Sequence, residues 1–148
     1  MNTNEYIEFT ISQKKKFEEL ERIFYQIKNT HNNSEDYEIE SFKALIPEYV
    51  FNFFSKENNP QGWSLENIIR FLIEDLDVTY LDISEIHNNI GRLNFDPNGY
   101  PYGVSDSLIQ FLKAYDMTPY EVYEGLDTYV ISWVSNIEFK FELKVPQK

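Results

Sequence analysis

The sequence predicts an α+β fold in which N-terminal helices pack on a small, mainly antiparallel C-terminal sheet. Two stretches of opposite period carry that reading. Residues 12–77 set apolar side chains at three- and four-residue steps, the spacing of a helix face, whereas Ile137, Phe139, Phe141, Leu143 and Val145 alternate strictly with Glu138, Lys140, Glu142 and Lys144. A third observation is the supply of core material: of 148 residues 42% are hydrophobic, with 12 Phe, 11 Tyr and 2 Trp spread along the chain. No repeat or linker-like tract divides them, so the expectation is one domain over 1–148, helical across 12–77 and strand, helix and antiparallel sheet across 90–145.

The first ten residues carry Glu5 and Glu8 where a secretory signal needs a basic segment and an apolar run, and no element is assigned there. From Ser12 as N-cap, residues 13–29 form an amphipathic helix with Phe17, Leu20, Phe24 and Ile27 on its apolar face. Residues 29–36 are polar and read as a loop, with Ser34 as a cap for the next helix. Ile39, Phe42, Leu45 and Ile46 lead into Pro47, which lacks a helical donor and restarts the chain as a short apolar helix over 49–54. After a turn at 58–62, Ser64 caps a helix over 63–77 with Leu65, Ile68, Ile69, Leu72 and Leu76 on one face.

Residues 90–95 are expected as the first strand of the chain, past Gly91. Asp96 to Gly103 is dense in turn formers, with Pro97 at the second position of a type I turn. Ser105 caps a helix carrying Leu108, Ile109, Phe111, Leu112 and Tyr115. Residues 120–124 read as a strand through their Tyr and Val content, although Thr118-Pro119-Tyr120-Glu121 also fits a capping box. Residues 127–134 and 137–145 form a hairpin through a tight Ser135-Asn136 turn. That register sets Asp127 opposite Lys144, puts Thr128, Val130, Ser132 and Val134 with the phenylalanines, and leaves Tyr129, Ile131 and Trp133 on the Glu/Lys face.

Cysteine is absent, which excludes disulfides and thiolate chemistry, and the default compartment is cytoplasmic. No apolar run approaches the roughly 20 residues of a membrane span. Net charge is −12 and it is regional. Residues 1–56 carry ten acids and seven bases, whereas residues 57–139 carry fourteen acids against Arg70, Arg92 and Lys113. Such a field repels nucleic-acid phosphates and anionic membranes and attracts basic proteins.

Chemistry-bearing motifs are few. His31 and His87 lack helix-spaced ligand neighbours, and both read as surface residues. Asp96, Asn98 and Asp106 miss calcium-loop spacing, with Pro101 at the sixth position and Ser107 at the twelfth. Asp127 with Glu142 and Lys144 is the one arrangement that resembles a divalent-metal hydrolase or nuclease site, and it depends on the hairpin register above. Against it stands the ease with which Glu and Lys alternate on a wet strand face.

The remaining feature is a run of acids and tyrosines beside the Pro/Gly loop. Tyrosines offer contact area at low entropic cost, and neighbouring carboxylates pair with arginine or lysine. Tyr100, Tyr102, Asp116, Glu121, Tyr123, Glu124 and Asp127 are therefore the expected partner-binding residues. The function expected is a non-enzymatic acidic module that binds a basic protein, as an immunity or antitoxin-type inhibitor does, with no catalytic residue, metal or cofactor assigned. The alternatives are the metal-dependent hydrolase and a self-associating structural protein.

Overall fold

A computed structural model describes residues 4–60, 62–98 and 105–144. Its centre is a strand that the helical reading of the first half passes over. Strand β1 (Glu5–Ile11) turns Ile7, Phe9 and Ile11 to one side, all buried, and Tyr6, Glu8 and Thr10 to the other. The two-residue alternation is present in the sequence itself, and each of the three apolar side chains gains roughly 1.5–3 kcal/mol by burial. The chain then enters helix α1 (Lys14–Asn32), α2 (Ile39–Lys43), α3 (Glu48–Phe53) and α4 (Leu65–Arg70).

Strands β2 (Thr79–His87) and β3 (Ile90–Asp96) form a hairpin, helix α5 (Ser105–Ala114) comes next, and β4 (Met117–Tyr123), β5 (Thr128–Trp133) and β6 (Phe139–Leu143) complete the chain. The six strands make one antiparallel sheet in the order β2-β3-β1-β4-β5-β6. The α+β class stands. Two details differ: β1 precedes every helix and lies inside the sheet, and β2 adds a strand before residue 90. The helices therefore do not form an N-terminal layer on a C-terminal sheet.

One face of the sheet carries the core. Helix α1 lies over β1 and β2, with the Phe9 and Phe17 rings 6.1 Å apart and Phe24 meeting Tyr80 edge-on at 5.8 Å. The expected apolar face of α1 is buried, together with Ile23 and Thr30. Ser12 does not cap this helix; Gln13 occupies the N-cap without a side-chain bond, and Ser12 Oγ instead donates to Asp116 at 3.1 Å. The helix also runs three residues past the expected end, through Asn32. Ser34 sits beyond it at φ 52° and caps no helix, since Glu38 occupies the N-cap of α2.

Pro47 separates α2 from α3 as its ring requires, and Ser64 Oγ accepts the Asn67 N–H at 3.2 Å as the cap of α4. The last turn of α4 widens over Phe71–Asp75, so that Leu76 N–H reaches Phe71 O at 2.9 Å. His31 is no ordinary surface residue: its ring lies in the last turn of α1 with Nδ1 2.6 Å from Ile73 O and Nε2 2.6 Å from Val78 O, against Tyr80. It ties α1 to the carbonyl that the widened turn sets free.

Two further departures have clear causes. Pro119 lies inside a strand with neighbours on both sides, and a bulge accommodates it: Glu8 faces Glu121 while Phe9 faces Pro119, leaving Tyr120 as the extra residue. The β5–β6 register is shifted by one residue from the expected hairpin. Tyr129 faces Leu143, Ile131 faces Phe141 and Trp133 faces Phe139. A two-residue hairpin loop needs positive φ, which neither Ser135 nor Asn136 adopts; the loop takes three residues, and Ser135 Oγ accepts the N–H groups of Ile137 and Glu138. The slip moves every side chain of β5 to the opposite face. Tyr129, Ile131 and Trp133 now share the phenylalanine face, and Thr128, Val130 and Ser132 share the Glu/Lys face. More apolar surface is buried this way, with Ile131 left 5% exposed. Asn98, at the third position of the Asp96–Pro97 turn, has φ 52°, which excludes type I there.

Gly91 is required by contact. A Cβ at this position falls 2.3 Å from Phe9 Cε2. Gly91→Ala is therefore expected to destabilise the fold by about 1–3 kcal/mol in urea unfolding. Combining it with Phe9→Leu is expected to cost less than the sum of the two single changes, because the smaller side chain makes room.

Candidate functional site

The face of the sheet away from the helices carries a polar network across its middle strands. Glu8 is nearly buried there; it accepts from Arg92 Nε at 3.0 Å and from Tyr120 OH at 2.8 Å, and the Arg92 guanidinium lies 4.1 Å from the Tyr6 ring centre. Next to it Glu121 accepts from Tyr6 OH at 3.1 Å and from Lys144 Nζ at 2.9 Å. Burial and the carboxylates beside it push the Tyr6 hydroxyl up to about 12, since both disfavour a phenolate. Tyr123 stacks on Tyr6 with ring centres 5.4 Å apart.

The expected acid and tyrosine surface is thus divided by the fold. Tyr115 is fully buried, Tyr129 packs against Phe141, and Glu121 and Tyr123 belong to the sheet-face network. Asp116 lies at the opposite end of the sheet, held at φ 65° after α5 and paired with Lys16 at 2.9 Å. Lys14 is likewise paired there, with Glu85. Tyr100 and Tyr102 lie outside the described residues.

Glu124 and Asp127 remain, and the antiparallel topology brings other acids to them. Strands β1, β2 and β5 begin at one end of the sheet, where β3, β4 and β6 finish, as the pairs Glu5–Phe95, Thr79–Asp96, Tyr6–Tyr123 and Tyr129–Leu143 show. At this end Asp127 O accepts Glu124 N–H at 2.9 Å around Gly125, whose φ of 85° suits glycine. Asp96 accepts Asn98 N–H at 2.9 Å, and Asp77 accepts Asn98 Nδ2 at 3.2 Å. Asp106 lines a hollow of about 300 Å³ with Glu124, Tyr129 and Phe141.

Glu5 lies beside Asp96 and Glu124 and is 2% exposed. Desolvation first, then the Glu124 and Asp96 charges, raise its carboxyl to about 7 from an ordinary 4.5. Burial also raises the Asp106 carboxyl. The segments 4–7, 75–82, 93–98, 105–109 and 121–130 at this end contain no lysine or arginine, and the base that β6 brings to it, Lys144 opposite Thr128, has its ammonium on Glu121 at 2.9 Å. Sequence reasoning noted the regional charge but used Glu5 only against a signal peptide and Asp96 only as a calcium candidate. The available signal was the absence of bases from residues 71–91, 93–112 and 114–139.

The metal-site arrangement depended on the register that does not form. Lys144 N–H bonds Thr128 O at 2.8 Å, so Lys144 faces Thr128 rather than Asp127, and its ammonium pairs with Glu121. Among the described residues no three His, Cys, Asp or Glu side chains are placed to hold a metal ion. No helix among them is long and apolar enough to cross a membrane.

Comparison with protein-family models, curated proteins and solved structures finds no match to this chain.

Because the folded state holds a proton on Glu5 that the unfolded chain releases, stability at this residue is full below about pH 4.5 and falls as pH rises toward about 7. Glu5→Gln is expected to flatten that slope. The variant gains relative to the parent by up to about 3 kcal/mol between pH 4.5 and 8, read by chemical denaturation at each pH.

Proposed function

We propose that the chain is a non-enzymatic protein-binding module whose acidic sheet end docks a basic partner and neutralises it, in the manner of an immunity or antitoxin-type inhibitor. The observation that carries this reading is the placing of Asp96 and Glu124 beside the buried Glu5, with Asp77 and Asp127 at the same sheet end, where the base Lys144 is already paired with Glu121. Holding like charges together costs free energy in the isolated chain. A cationic partner relieves that cost and gains a steered, salt-sensitive approach.

Arginine suits the site better than lysine, because its planar fork bonds carboxylates in pairs. The same field disfavours nucleic acid, whose phosphates it repels. A small-molecule substrate has less to recommend it, because the hollow beside Glu124 has a volume of only about 300 Å³, with Tyr129 and Phe141 as the aromatic side chains on its wall.

A fluorescent arginine-rich peptide, titrated by anisotropy, tests the proposal. Binding is expected to weaken steeply as salt rises. Glu124→Gln with Asp127→Asn is expected to weaken it about tenfold or more, while Asp116→Asn at the far end leaves it unchanged. Equal loss from both ends, or affinity indifferent to salt, sinks the reading.

A further inference from the structure

The two edges of the sheet are built differently. Strand β2 is bulged twice, between Tyr80 and Asp82 and between Glu85 and His87, which twists an edge away from further pairing. Strand β6 pairs with β5 without interruption from Phe139 to Leu143, and no described strand covers its other side. Phe141 and Leu143 on it are 38% and 56% exposed. A flat edge with exposed apolar side chains is a template for another strand.

The ladder determines which backbone groups are open. Val134 N–H bonds Glu138 O and Lys144 N–H bonds Thr128 O, both at 2.8 Å. Hydrogen-bonded pairs alternate in an antiparallel ladder, so Glu138, Lys140, Glu142 and Lys144 bond inward to β5. The N–H and C=O groups of Phe139, Phe141 and Leu143 point outward.

We propose that β6 pairs antiparallel with β6 of a second copy of this chain, about a two-fold axis at Phe141. Charge complementarity selects both the occupant and the register. The strand reads Glu138-Phe139-Lys140-Phe141-Glu142-Leu143-Lys144, and reversed about Phe141 it sets Lys140 opposite Glu142 of the second copy and Glu138 opposite Lys144. All four charged side chains are exposed and share one face, while Phe139, Phe141 and Leu143 meet their counterparts on the other.

A shift of two residues in either direction destroys this match. One shift sets Lys140 against Lys140 and Glu138 against Glu142; the other sets Glu142 against Glu142 and Lys140 against Lys144. Like charges directly opposite on a sheet are destabilising, so the register centred on Phe141 is the one that pairs the whole strand favourably. Lysine on an edge ordinarily deters pairing, but here Lys140 meets Glu142 of the second copy, and Lys144, whose ammonium lies 2.9 Å from Glu121 of its own chain, stands opposite Glu138. The contact is isologous and closes on itself as a dimer, joining two sheets into one. It uses none of the acids at the sheet end, so it stands or falls apart from the partner-binding proposal.

Sedimentation velocity across a concentration series, with light scattering on the same samples, tests it. The parent chain is expected to move from monomer to dimer as concentration rises. Glu142→Lys alone and Lys140→Glu alone each place two like-charge pairs at the axis, and each is expected to raise the dimer dissociation constant at least about tenfold. Both positions are exposed and face only Ser132 and Val130 within the chain, and circular dichroism verifies that each variant is folded. An equimolar mixture of the two variants sets Lys opposite Glu at every pair and is expected to form a heterodimer. A parent chain that stays monomeric into the millimolar range overturns the proposal, as does a dimer unmoved by either variant or a mixture that fails to associate.

Discussion

Strand β1 is bordered by neighbours on both edges and covered on one face by helices, so nearly every element is placed relative to it. Its Ile7, Phe9 and Ile11 are buried in the core, Phe9 against Phe17 of α1, and its backbone pairs β3 on one side and β4 on the other. The hairpin β2–β3 and the meander β4–β5–β6 have no described ladder in common; they become one sheet because β1 lies between them. The close approach of Gly91 to Phe9 and the bulge that accommodates Pro119 are both consequences of fitting strands against this one. A central strand contributed by the first residues also means that long-range pairing must precede a complete sheet, which is the slow kind of contact to form.

Placing β1 centrally sets the electrostatics as well. Glu8 is carried into the middle of the uncovered face, where a nearly buried carboxylate must be paired, and Arg92 and Tyr120 meet that need from the adjacent strands. Glu121 is satisfied in the same way by Tyr6 and Lys144. Acids that look alike in sequence therefore have different fates. Those in the middle of the strands are consumed by internal pairing, and those at the turns are sorted by which end of the sheet they lie on. The antiparallel order then collects the turn acids from four separate segments at one end, while Lys14 and Lys16 neutralise acids at the other. The asymmetry is a property of topology more than of composition.

Edge treatment obeys the same logic of position. The β2 edge faces solvent with two bulges, and the β6 edge with a regular ladder and balanced charge. The balance on β6 arises from the alternation that first marked it as a strand, so one pattern determines both its secondary structure and the kind of neighbour it accepts.

Much of this was legible along the chain. Helical spacing placed α1, α4 and α5 and most of their buried residues, Pro47 separated α2 from α3, Ser64 capped α4, and strict alternation marked β6; these are local effects of side-chain geometry and backbone sterics. The regional acidity was equally plain. Strand β1 was legible in principle through Ile7, Phe9 and Ile11, but nothing local says that a first strand lies in the centre of a sheet. Nor could spacing show that His31 bridges two carbonyls, that Glu5 is buried among Asp96 and Glu124, or that Asp116 lies at the far end from them. The hairpin register turned on one residue of loop, and the observed one buries Ile131 and sets the partly buried Trp133 against Phe139 of β6 and Lys113 of α5, which the Ser-Asn pair alone does not specify. Sequence by itself determined α1, α4, α5 and the alternating strand β6, and how much charge each region carries. Tertiary structure decided which acids join the sheet-face network and which gather at one end, because that depends on which strand ends the antiparallel sheet brings together.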